Sequence, residues 1–370
     1  MARHADEPKY EMVKQHVISL LKQGTIGFGE KLPSEHSLME QFNVSRNTIR
    51  QAFAELTSMG LIYKEQGRGT FSKYVPGNRN ARRIVAVMTT YISDYIFPDI
   101  ILGIEEVLSA EGYSLLLSNT NNNKEKETQL LRNMLEHDVC GLIIEPTRSA
   151  LPDTNHPLFA EMSAKGIKIV FINATYPDVP AASVLLDDVR GGFIAADYLL
   201  QLGHTRIAGI FKKDDIQGHR RREGFSQALR QYGLSPDPSL LLEYETSDET
   251  IQPYLLARSL LRQKNRPTAF FCYNDNIATM VIAAARDCGL DVPADLSVVG
   301  YDDSKKAQTF VPRLTSVVHP KGEMGRRAAA FLVEMLDHES EPPQYLYRPE
   351  LIVRDSCKNM KESAMLTASL

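Results

Sequence analysis

From Ile84 onward the chain alternates short apolar runs with stretches of helical periodicity, and this alternation restricts the fold more than any other feature. The runs span 84–88, 113–117, 141–144, 167–172, 206–210, 268–271 and 296–300. They are too short for helices, and between them lie helical stretches of roughly ten to sixteen residues, the length of a crossover helix. A strand that is apolar along its whole length is covered on both faces, which is the condition of a parallel sheet between helix layers. Seven such strands exceed one compact nucleotide-binding half, so two similar α/β lobes are expected.

The first 75 residues follow another pattern. Met12/Val13, His16/Val17 and Leu20/Leu21 recur at helical spacing. Pro33-Ser34-Glu35 has the composition of a helix start with Ser34 as N-cap, and Leu38, Met39 and Phe42 supply that helix's apolar face. Asn43-Val44 forms a tight turn and Ser45 caps a third helix, in which Ile49, Phe53 and Leu56 point inward. Two helices joined by so short a turn make a helix-turn-helix. Residues 60–63 and 70–72 then read as strands around a glycine turn, a hairpin wing. Residues 73–83, KYVPGNRNARR, have no periodicity. The expected organisation is a winged helix-turn-helix over 1–75, a linker over 76–83 and an α/β domain of two lobes over 84–370.

Charge agrees with this division. Residues 1–75 carry ten Lys/Arg against eight Asp/Glu, a net of +2 in a chain of −4, so the remainder carries −6. A basic head on an acidic body suits a phosphate-bearing partner for the head. No run of apolar residues is long enough for a transmembrane helix, and the first eight residues lack the apolar core of a secretory signal, so no membrane role and a cytoplasmic location are expected. The four cysteines are widely separated and form no metal-ligand spacing, so neither a metal nor a cofactor is expected.

Arg46 and Arg50 lie one helical turn apart and can enter one groove together. A guanidinium matches the O6/N7 edge of guanine, and Asn47 can read adenine. Lys9 and Ser45 stand at helix starts, where phosphates bind, and the wing tip Gln66-Gly67-Arg68-Gly69 can reach the minor groove or the backbone. Isolated arginines of this kind are more often a solvated face. In the larger domain, polar residues follow the strand ends, where open α/β sheets bind ligands: Tyr91, Tyr95, Phe97, Glu145, Asn173, Asp187-Asp188 and Arg221. Asn274-Asp275, Asp302-Asp303 and His319 continue the series. Carboxylates, amides and a guanidinium pair with vicinal hydroxyls while an aromatic face covers the C–H side of a sugar ring. Each has a structural alternative: Asp275 or Asp303 as helix caps, His319 as a hinge residue, Tyr91 as core.

Residues 31–35 (KLPSE), 44–52 (VSRNTIRQA), 60–62 and 67–71 (GRGTF) resemble the GntR-family winged helix-turn-helix. Residues 141–144, 203–208 (GHTRIA), 221–225 (RREGF), 273–275 (YND), 299–303 (VGYDD) and 314–317 resemble the LacI/GalR effector domain, which has the fold of periplasmic sugar-binding proteins. The first resemblance implies DNA contacts at Glu35, Ser45, Arg46, Asn47, Thr48, Arg50, Gln66, Gly67 and Gly69, with Thr48 open to a packing role and Glu35 able to orient an arginine or accept from cytosine. The second implies ligand contacts at Tyr95, Phe97, Glu145, Asn173, Asp187, Arg221, Asn274, Asp302 and His319, with Asp188 the alternative to Asp187. Together, and with residues 89–98 (TTYISDYIFP), they resemble sugar-responsive regulators of bacilli. They imply a homodimeric repressor on double-stranded operator DNA, released by a small sugar, L-arabinose. The linker departs from the LacI pattern in having no obvious hinge-helix motif. A sugar-transport protein would need an export signal in place of the head, and a sugar hydrolase would need more than paired carboxylates such as Asp302-Asp303 and Glu145.

Overall fold

The computed structural model describes residues 8–22, 25–65, 67–73, 84–93, 95–338 and 341–361. The expected linker, 76–83, and Gln66 lie outside the described residues. The chain divides into two compact units, 1–83 and 84–370.

The first unit contains α1 (Lys9–Lys22), α2 (Glu35–Phe42), α3 (Arg46–Ser58), β1 (Ile62–Glu65) and β2 (Gly69–Ser72). Ser34 Oγ accepts the Ser37 N–H and Ser45 Oγ accepts the Thr48 N–H, so both helices after α1 begin on serine caps. Asn43 takes the left-handed conformation (φ 47°) and its N–H bonds Met39 O, which ends α2 abruptly and makes the turn. Val13, Val17, Leu21, Leu38, Ile49 and Leu56 are fully buried and form this unit's own core. β1 and β2 pair antiparallel from Ile62↔Ser72 to Glu65↔Gly69, with Gly67 at positive φ in the turn.

In the second unit, one lobe holds β3 (Ile84–Thr89), α4 (Phe97–Ala110), β4 (Ser114–Asn119), α5 (Lys124–Glu136), β5 (Val139–Ile144), α6 (His156–Ala164), β6 (Lys168–Ile172) and β7 (Ala182–Leu186). The chain then crosses to α7 (Asp188–Gln201), β8 (Ile207–Lys212), α8 (Ile216–Gln231), β9 (Leu241–Tyr244), α9 (Gln252–Leu261), β10 (Ala269–Cys272), α10 (Asp275–Asp287), β11 (Ser297–Asp302), α11 (Lys305–Thr309) and β12 (Thr315–Val318). It returns through α12 (Lys321–Asp337) and β13 (Gln344–Tyr347), and crosses a last time to β14 (Leu351–Ile352). The two six-stranded sheets have orders β13-β7-β6-β5-β3-β4 and β14-β12-β11-β10-β8-β9, with every pairing parallel except β12/β14. Three connections therefore join the lobes, at residues 187, 319–320 and 348–350.

All seven apolar runs are strands. The sequence reading misses β7, β9, β12, β13 and β14. β9 and β13 are edge strands with exposed or half-exposed residues, so neither shows a continuous apolar run, and β14 has two residues.

α7 and α8 lie in close contact because glycine leaves room for backbone. A Cβ on Gly224 would overlap the carbonyl of Val189, and one on Gly192 would overlap that of Arg221. Beneath them Phe211, Phe225 and Phe271 form a cluster with ring centroids 5.7–6.0 Å apart. Gly224→Ala must separate the helices, and a loss of about 2–3 kcal/mol is expected from overpacking. Urea denaturation followed by circular dichroism measures it; an unchanged midpoint would contradict the packing argument.

Candidate effector cavity and DNA-reading face

In the first unit α3 presents Arg46, Asn47 and Arg50, all exposed, on the side opposite its buried Ile49, Phe53 and Leu56. Glu35, the first residue of α2, organises this face. Its Oε2 accepts from Arg46 Nε at 3.0 Å and lies 3.7 Å from Arg50 Nε, while its Oε1 accepts from Lys64 Nζ at 3.3 Å. The Arg46 hydrogen bond, with help from Lys64, holds the Glu35 carboxyl below its ordinary range. Both oxygens are engaged within the protein, so the geometry favours the arginine-orienting role for Glu35 over direct base contact. Thr48 is half-buried and its hydroxyl lies 2.9 Å from Ser45 Oγ, within the α3 cap. Lys9 is exposed at the start of α1. At the wing Gly67 is exposed, Gly69 is half-buried at positive φ, and Arg68 pairs with Glu65 at 2.6 Å.

In the second unit a cavity of about 350 Å³ lies between the lobes. Eight of the nine expected ligand residues line it: Tyr95, Phe97, Glu145, Asn173, Arg221, Asn274, Asp302 and His319. The ninth requires correction. Asp187 is the N-cap of α7, where its carboxylate accepts the Arg190 N–H at 2.9 Å, and it is absent from the wall. The first residue of the helix, Asp188, is buried and lines the cavity in its place. A cap must face its own helix N–H groups, whereas the next side chain turns inward.

Two buried networks make the inner wall. In the first, Arg221 of α8 donates from Nε to Asp188 Oδ1 at 2.8 Å and from Nη1 to Tyr273 O at 2.6 Å, and Nη2 lies 3.7 Å from Asp302 Oδ1. Its guanidinium sits 3.5 Å from the ring centroid of Tyr301. Burial works against this cation, but Asp188, Tyr301 and Asp302 outweigh it and keep Arg221 charged. In the second, Glu145 accepts from the Thr90 N–H and hydroxyl and from Asn173 Nδ2 at 2.8 Å. Asn173 Oδ1 in turn lies 2.8 Å from His319 Nε2. Burial pushes the Glu145, Asp188 and Asp302 carboxyls up. Burial, then the cations Lys321 and Arg221, holds His319 well below its ordinary value and therefore neutral.

Tyr95, at positive φ, joins the lobes: its hydroxyl donates to Tyr301 O at 3.0 Å and accepts the Asp275 N–H at 3.1 Å. Phe97 and Tyr91 pack together with ring centroids 5.8 Å apart. Asn274 caps α10 while lining the cavity. Asp275 is absent from the wall; it accepts from the Ser304 N–H and Ser316 Oγ, and burial raises it to about 7. Asp303 pairs with Arg354 at 2.6 Å.

At the outer end the strand-end reading supplies Tyr91 but neither Lys212 nor its acidic partners. Lys212 pairs with Asp215 and Glu249 at 3.2 Å each, and Tyr91 donates to Glu249 at 2.8 Å. Lys212 closes β8, so the strand-end rule that found Glu145 reaches it as well, whereas Glu249 lies in a loop with no local signal. Among the described residues no cluster of His, Cys, Asp or Glu is placed to hold a metal, and no helix is long and apolar enough to cross a membrane. Cys140 and Cys272 are buried.

Comparison with known proteins gives two family matches, bacterial regulatory proteins of the gntR family over residues 9–71 and a periplasmic binding protein-like domain over 196–357. A transcriptional regulator CelR in complex with cellobiose superposes with TM-score 0.67 at 25% identity, covering 85% of this chain and 91% of the other. A LacI family regulator from Enterococcus faecium with bound ribose gives 0.64 at 25% identity over 75% and 99%. The protein is thus a DNA-binding transcriptional regulator with a winged helix-turn-helix head and a LacI-type effector domain. The arabinose metabolism transcriptional repressor of Geobacillus stearothermophilus is 43% identical over 358 residues, 95% of this chain and 98% of that one. Its counterpart in Halalkalibacterium halodurans is 38% identical over 96% and 98%. The chain belongs to the family of arabinose metabolism transcriptional repressors, and its close relatives are repressors rather than enzymes.

His319 yields a pH prediction. Its folded pKa lies below the unfolded value near 6.5, so as pH falls the unfolded chain binds the proton first and stability is lost. The stability of the wild type relative to His319→Gln should therefore be constant above pH 7.5 and fall by about 1 kcal/mol by pH 5.5. Urea titrations across that range measure it, and parallel pH profiles would contradict a neutral buried imidazole.

Proposed function

We propose that this repressor acts in the cytoplasm as a homodimer on palindromic operator DNA and leaves it when L-arabinose fills the cavity between the lobes. The observation that carries the sugar assignment is a pair of buried polar atoms without hydrogen-bond partners, His319 Nδ1 and Asp302 Oδ1, both on residues of the cavity wall. Buried atoms of this kind are normally satisfied, and a neutral imidazole nitrogen and a carboxylate oxygen both accept from hydroxyl groups. A polyhydroxylated ring supplies such donors, and the aromatic residues Tyr91, Tyr95 and Phe97 can cover its C–H face. The names of the two relatives support arabinose among the sugars, and a regulator of the same architecture tuned to another small sugar is the second reading.

Arg46, Asn47 and Arg50 are the residues offered to base edges, with Glu35 fixing Arg46; Lys9, Ser45, Thr48 and the wing residues Gln66, Gly67, Arg68 and Gly69 serve the backbone or minor groove. Asp188 takes the ligand role first assigned to Asp187. To lower operator affinity a hundredfold, the sugar must favour the released state by about 2.7 kcal/mol, within reach of a few hydrogen bonds plus lobe closure.

Operator titration by fluorescence anisotropy at fixed salt, with L-arabinose and with a panel of pentoses and hexoses, tests the assignment. Release by L-arabinose at the lowest concentration in the panel is expected, and unchanged affinity with every sugar would overturn it. Arg50→Ala should lose about 1–3 kcal/mol of sequence discrimination and keep sugar binding by calorimetry. Undiminished discrimination would remove Arg50 from the base-reading set.

A further inference from the structure

Resting on that reading, we infer that the cavity is built for an uncharged sugar and rejects its phosphate esters, so the repressor senses the sugar before any phosphorylating step consumes it. The argument begins with topology. Helices of parallel α/β lobes direct their N-termini toward the strand-end cleft, and helix N-termini are natural phosphate sites. Here the protein places its own acids at two of those sites: Asp188 opens α7 and Asp215 is the N-cap of α8, and both line the cavity. Each places a carboxyl where an anionic ligand would otherwise gain from the helix field.

The side chains of the wall point the same way. Five carboxylic residues line the cavity, Glu145, Asp188, Asp215, Glu249 and Asp302, against three cations, Lys212, Arg221 and Lys306. The two buried cations are already matched: Arg221 by Asp188, with Asp302 close by, and Lys212 by Asp215 and Glu249 at 3.2 Å each. Lys306 is exposed and donates to Asn276 Oδ1. No buried cation of the described wall is left for a phosphate, and a dianion would meet Asp215 and Glu249 at one end or Asp302 and Glu145 at the other. In a partly desolvated cleft such like-charge approach is screened weakly. A neutral polyol meets no such penalty and can both donate to the carboxylates and accept from the cations. Lys212 and its two acids thus act as specificity residues: they give the outer end hydrogen-bonding groups without a free positive charge.

The full-length chain is titrated calorimetrically with L-arabinose, methyl L-arabinopyranoside, L-arabinopyranose 1-phosphate and inorganic phosphate. The expected result is saturable binding of L-arabinose, no competition by inorganic phosphate, and at least about 100-fold weaker binding of the 1-phosphate. The double variant Asp215→Asn/Glu249→Gln, which leaves Lys212 unmatched, should narrow the gap between free sugar and ester by at least about tenfold. Binding of inorganic phosphate in the cavity, or of the ester within threefold of the free sugar, would overturn the inference while leaving a sugar-derived effector in place. Rejection of the neutral methyl glycoside as strongly as the ester, with no change in the double variant, would overturn it in favour of steric exclusion. If neither the free sugar nor the ester binds, the proposed function itself falls.

Discussion

The effector unit is arranged around one buried guanidinium. Removing Arg221 from water costs several kcal/mol unless charge and hydrogen bonds are returned to it. The fold returns them from three elements around the helix that bears it. Asp188 comes from the start of α7, the carbonyl of Tyr273 from the end of β10, the face of Tyr301 and the carboxyl of Asp302 from β11, and α8 carries the arginine itself. Gly192 makes this possible by letting α7 come against the backbone at Arg221. A close helix–helix contact set by glycine therefore determines where the ligand-facing charge stands.

The same geometry links binding to motion. Asp188 and His319 lie at two of the three segments that connect the lobes, so a ligand touching both touches the hinge. From the other side Tyr95 and Tyr91 reach across to Tyr301 and Glu249, and Arg148 reaches Asp214 at 2.9 Å. These contacts describe a bridged cleft, and a ligand shifts the population of that state by the difference in its affinity for bridged and open forms. In the head, Glu35 plays an analogous part, tying Arg46 of α3 to Lys64 of β1 through one carboxylate.

Much of this was legible in the sequence because the signals were local. Ser34, Asn43 and Ser45 mark helix ends by their own side chains or backbone, and the continuous apolar strands of parallel sheets stand out against helical periodicity. Strand-end position found Glu145, Asn173 and Asp302. The edge strands β9 and β13 were hidden because one side of each faces solvent or polar neighbours, which breaks the apolar run. The adjacent identical residues Asp187 and Asp188 cannot be separated by pattern; the cap geometry of α7 separates them. Glu249 and Asn122 join the cavity through contacts more than ninety residues away in sequence, Tyr91 to Glu249 and Asn122 to Asp215, and no local rule reports such pairs.

If Arg221 organises the cavity that the sugar fills, then Arg221→Lys, which keeps the charge but loses the planar fork, should uncouple sensing from DNA binding. The direct measurement is operator occupancy of the wild type and of Arg221→Lys as L-arabinose is added at fixed salt. The variant is expected to bind operator as the wild type does and to remain bound at sugar concentrations about a hundredfold above those that release the wild type. Release of both proteins at the same sugar concentration would contradict the central place given to Arg221.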